Sequence, residues 1–205
     1  MSPRSNASRV ELVLHDAARK LVQNEDEVRI EDYLCVLAAA TGEAAIVTSG
    51  AHDIDHRLTG NEVDLSAVPA ATIVGVLRDR LVPSVAPVEA FGDLERRYDF
   101  VAAHVGQSKW GWVAVSVEAG HTPWMMPIRA AAELRPAVAA IESLLTVGPG
   151  GAPAIPRDLV CAGALAAAIE DSAGDLDPSV SVPLALDIVF GMAKMAPLSR
   201  AELAG

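Results

Sequence analysis

The sequence predicts an all-α fold, an irregular bundle of about seven helices with one short extended segment near residues 110–117. Two observations carry this. Hydrophobic residues make up 51% of the 205 and aromatics only 4%, so the core has to be built from Ala, Val and Leu, and Ala favours helix and lets backbones approach closely. Most apolar positions also recur at the i, i+3, i+4, i+7 spacing of a helix stripe, while a single short stretch alternates with period two.

The elements follow in order. Residues 8–22 place Val10, Val13, Leu14, Ala17 and Leu21 on one stripe, with Ser8 and Glu11 at capping-box spacing and His15 about 100° off the stripe. After the polar break at 24–28, residues 30–50 form a second helix, apolar enough to be buried on most sides. Residues 66–82 form a third, tolerating Pro69 in the first turn and ended by Pro83. Residues 87–106 read as one helix, with Phe91, Leu94, Tyr98, Val101, Ala102 and Val105 as its stripe and Gly106 at its end. Trp110, Trp112, Ala114 and Ser116 then alternate with Gly111, Val113, Val115 and Val117, a strand pattern with no evident partner. Helix resumes over 130–145, where Pro136 predicts a kink or break.

Two apolar helices end the chain. They fall within 157–174 and 177–197, with Asp177–Pro178 as cap and first-turn proline and Pro183 delaying regular helix to its far side. The expected organisation is a helical body over 1–147, a Gly/Pro-rich linker over 148–156, and a C-terminal pair over 157–205. That pair is too apolar to stand in water and must pack on the body or on a second subunit, which makes a homodimer the expected assembly.

Charge narrows the function classes. Lys and Arg number 16 against 27 Asp and Glu, a net charge of −11, which disfavours nucleic acid because such binding rests on clustered cations. Cys35 and Cys161 lie in apolar helical runs, the pattern of buried, reduced thiols. No apolar signal core opens the chain and no stretch approaches the ~18–20 residues of a membrane span. The expectation is an acidic, soluble, cytoplasmic protein.

Chemistry is concentrated at residues 51–60, AHDIDHRLTG. His52 and His56 stand four apart; on a helix they share a face and can hold one metal ion with Asp53 as the neighbouring base. Their flanks, Gly50 and Thr59–Gly60–Asn61, favour a loop, in which Asp and His instead cap helix ends and bond backbone. His52–Asp53 also resembles the His-Asp doublet of HD-domain metal-dependent phosphohydrolases. That resemblance covers a handful of positions. It implies an all-helical domain binding one or two divalent metals, with His15 as the early ligand, His52 and Asp53 as the doublet and Asp99 as the late one.

A second cluster joins Trp110, Trp112, Trp124, Met125 and Met126 within seventeen residues, with His121 beside them. Trp and Met are enriched at binding surfaces, so Trp110, Trp112, Trp124, Met125 and His121 are the candidate ligand-binding residues. Packing in a core short of volume is the competing explanation. No G-x-S-x-G, Walker loop or GxGxxG is present. Asp93, Glu95 and Asp99 are spaced like a solvated face paired with Arg96 and Arg97, and Glu170, Asp171, Asp175 and Asp177 read as solubilising the last interhelical turn. The expected function is non-catalytic binding of a small apolar ligand or a protein partner. The alternative is a metal-dependent hydrolase using His52, Asp53 and His56.

Overall fold

In a computed structural model the protein is all-α, an irregular bundle with a minute sheet. The structure describes residues 3–24, 27–49, 70–105, 113–144 and 155–193. Seven α-helices lie among them: α1 (Pro3–Val22), α2 (Ile30–Ser49), α3 (Ala70–Leu81), α4 (Leu94–Val105), α5 (Pro127–Leu144), α6 (Arg157–Ser172) and α7 (Pro178–Met192). The sheet is an antiparallel pair, β1 (Gln23–Asn24) with β2 (Glu27–Val28), in which Gln23 faces Val28 and Asn24 faces Glu27.

The centre of the molecule is α2. Every residue from Asp32 to Ile46 is buried, and the helix packs on α1, α5, α6 and α7. Small side chains make that possible. A Cβ on Gly42 would lie 2.5 Å from the Val189 carbonyl oxygen and 2.7 Å from Met192 Cβ, so α2 and α7 meet backbone to backbone. In α7, Ser181 through Met192 are all buried. α6 and α7 each meet α2 more extensively than they meet one another, and α3 closes over α6.

Several local expectations change. α1 begins at Pro3, so Ser8 stands inside the helix and is not its cap, and Glu11 reaches Arg80 instead. The 24–28 break holds paired residues of β1 and β2, strands too short for any alternation to reveal them. The helix expected over 87–106 is divided: a 3₁₀ turn spans Val88–Phe91, Gly92 adopts φ +58°, and Asp93 caps α4 by accepting from the Arg96 N–H at 3.1 Å. A left-handed φ interrupts a helix whatever the apolar stripe says. α5 runs unbroken through Pro136, which sits on the exposed face where water can satisfy the freed carbonyl. Regular α7 starts at Pro178, because Asp177 accepts from Ser179 N–H at 2.7 Å and Pro183 comes just after the first turn.

Residues 113–116 form no helix and pair with no strand among the described residues. A buried carboxylate holds them. Asp187 of α7, 0% exposed, accepts from Ser116 N–H at 2.6 Å and Ser116 Oγ at 2.7 Å. Arg97 of α4 donates to its other oxygen at 2.7 Å.

Candidate functional site

The most elaborate polar arrangement stands where β2 runs into α2. Asp32, in the first turn of α2, accepts from the backbone N–H groups of Trp124 at 2.6 Å and Met125 at 2.7 Å. Arg29 donates to the carbonyls of Thr122 at 2.9 Å and Gly120 at 3.1 Å, and its guanidinium carbon lies 4.4 Å from the Trp124 ring centroid. Glu31 meets His121 Nδ1 at 3.0 Å and Arg29 Nε at 3.4 Å. Burial pushes the Glu31 carboxyl up, but the bonds from His121 and its own backbone, with the Arg29 charge, outweigh burial and hold it below the usual carboxylate value. Below the loop, the Cys35 thiol donates to the Met125 carbonyl at 3.5 Å, and burial pushes that thiol far up.

The outcome is a loop fixed at both edges that carries an indole into solvent. Trp124 is 78% exposed while Met125 and Met126 are half-buried against the core. Of the sequence candidates, Trp124, Met125 and His121 therefore share one loop with different roles: Trp124 displayed, Met125 seated, His121 tied to Glu31. Trp110 and Trp112 lie outside the described residues. Arg29 and Asp32, which position the loop, were not among the candidates; a cation and an acid flanking the start of an apolar helix were the available sign.

A second polar feature adjoins the first. His15 Nδ1 and the Tyr33 hydroxyl are hydrogen-bonded in the interior. Burial lowers the His15 pKa against the pull of Asp171, and burial raises that of Tyr33 against the charge of Arg19. Both groups are thus neutral at pH 7. Tyr33 also forms part of a crevice of about 240 Å³ lined by Arg19, Val28, Ile30, Ala168, Asp171, Ser172 and Asp175.

His15 therefore lies inward at 8% exposure despite its offset from the stripe. Asp99 is exposed on α4, whose principal partner is α7, whereas α1 packs on α2, α5 and α6. His52, Asp53 and His56 lie outside the described residues. Among the described residues no group of three or more His, Cys, Asp or Glu is placed to share a metal ion.

Of the acids that bracket the last interhelical turn, Glu170 and Asp177 have specific partners, while Asp171 and Asp175 are exposed. Glu170 accepts from Arg80 Nε at 2.7 Å and Ser84 Oγ at 2.8 Å, Asp177 caps α7, and Asp171 and Asp175 line the crevice. Arg97 reaches across to Asp187 in place of an intrahelical partner. No described helix is long and apolar enough to cross a membrane. Compared with protein-family models, curated proteins and solved structures, the chain matches none.

Proposed function

We propose that this is a non-catalytic binding protein that engages a protein partner through the loop at 119–126, with Trp124 as the anchor. The observation that supports this is the combination of exposure and restraint at one residue. An indole 78% in water forfeits the burial that Trp normally seeks. Yet Asp32 and Arg29 fix the backbone on both sides of it and Arg29 lies over its ring. A displayed Trp beside an Arg, ordered before contact, has the composition of an interface hot spot and avoids the ordering cost of binding.

The test uses the full chain in its own cell extract. A photoreactive phenylalanine analogue replaces Trp124, and a second protein carries it at Leu12, also exposed at 61%. The expected result is a discrete protein adduct from position 124, absent from position 12 and lost when Arg29→Ala and Asp32→Ala are added. Adducts of the same kind and yield from both positions, or none from 124, would sink the reading.

A further inference from the structure

We propose that the crevice between the ends of α1 and α6 binds a free α-amino acid with an apolar side chain. This site is separate from the Trp124 loop and does not rest on it. The decisive feature is a charge arrangement. Arg19 lines the crevice from α1, while Asp171 and Asp175 line it from the end of α6 and the turn that follows. Among the described residues, Arg19 has no carboxylate within the 4.0 Å of a salt bridge, and neither aspartate has a cation there. Arg19 instead lies over the Tyr33 ring, 5.6 Å from its centroid. One void is thereby offered a positive and a negative wall.

A zwitterion satisfies both. Its carboxylate suits the planar, two-pronged guanidinium of Arg19. Its ammonium suits Asp171 and Asp175, which stand where the aligned peptide dipoles of the 16-residue α6 also present their negative end. Val28, Ile30 and Ala168 supply an apolar wall for a side chain, and Ser172 contributes a hydroxyl. The Tyr33 hydroxyl bonds both His15 and Arg19 and is itself uncharged, so the floor adds no charge to compete with either end. Size selects further. At about 240 Å³ the crevice is smaller than the ~300–1,000 Å³ of pockets for drug-sized ligands, a size that suits a single amino acid.

Titration calorimetry on the intact protein tests this with L-leucine and L-phenylalanine against three analogues. These are leucinol, which lacks the carboxylate, 4-methylpentanoate, which lacks the ammonium, and glycine, which lacks the side chain. Saturable binding of both apolar amino acids is expected, with each analogue weaker by about tenfold or more. Arg19→Gln should erase the preference for leucine over leucinol. Asp171→Asn with Asp175→Asn should erase the preference over 4-methylpentanoate. These positions are exposed, so the variants keep the fold, as thermal melting would verify; Arg19→Lys should bind with intermediate affinity. No saturation by either amino acid up to about 10 mM, or leucine affinity unaffected by Arg19→Gln, would overturn the proposal.

Discussion

Asp187 is the residue on which the least conspicuous part of the chain depends. Taking a carboxylate wholly out of water costs several kcal/mol unless donors replace the water. Here Arg97, Ser116 N–H and Ser116 Oγ do so. Replacement by alanine would strand the Arg97 guanidinium, whose side chain is only 13% exposed, and release residues 113–116 from α7. Asp187→Ala should lower the urea-unfolding free energy by about 3–5 kcal/mol, with Asp187→Asn losing less because the amide oxygen still accepts from the Ser116 N–H. Equal losses from the two variants would mean that shape, rather than hydrogen bonding, holds the segment. None of this was legible beforehand. Asp187 stands in an apolar run, and its partners lie 71 and 90 residues away. The clamp on Trp124 was hidden in the same manner: aromatic density marked the loop, but Asp32 lies 92 residues before the backbone it grips. Local spacing reveals stripes and caps; it carries no trace of pairs that only the fold brings together.

Among elements, the helices themselves were the readable part. The stripe of α1 and the strongly apolar runs of α2 and α6 announce period and burial directly. What escaped were interruptions set by backbone dihedrals, such as Gly92 at φ +58° dividing an otherwise continuous stripe, and a hairpin whose strands are two residues each. The interface of α2 with α7 gives the sharpest test of packing. Gly42→Ala places a methyl 2.5 Å from the Val189 carbonyl oxygen, where neither helix backbone can yield locally, and should destabilise by about 1–3 kcal/mol through overpacking. Gly75 of α3 has nothing within 4 Å of a Cβ, so Gly75→Ala should stabilise by about 0.5–1 kcal/mol through helix propensity alone. Thermal melts of the two variants should move in opposite directions; parallel shifts would overturn this account of the interface.

Across the whole molecule, a chain with 16 cations and 27 acids uses several of its arginines to tie helices together. Arg80 joins α3 to Glu11 of α1 and Glu170 of α6, Arg97 joins α4 to α7, and Arg135 joins α5 to Glu43 of α2 through two bonds of 2.6 and 2.8 Å. Histidine adds a pH dependence. Because burial lowers the His15 pKa below its ordinary 6.5, the unfolded chain takes up a proton before the folded one does. The resulting stability is complete above about pH 6.5 and drains away as pH falls below it. Glu31, also lowered, acts in the same direction but only from its ordinary 4.5 downward. Urea unfolding between about pH 7.5 and 5 should therefore fall more steeply for the wild type than for His15→Gln, and parallel curves would refute the assignment. One short stretch of chain ties the two surfaces together. Val28 and Ile30 face the crevice while Arg29, between them, lies over Trp124. The junction of β2 and α2 thus turns alternate residues toward two different surfaces, so that Val28, Arg29 and Ile30 serve both within a single step from strand to helix.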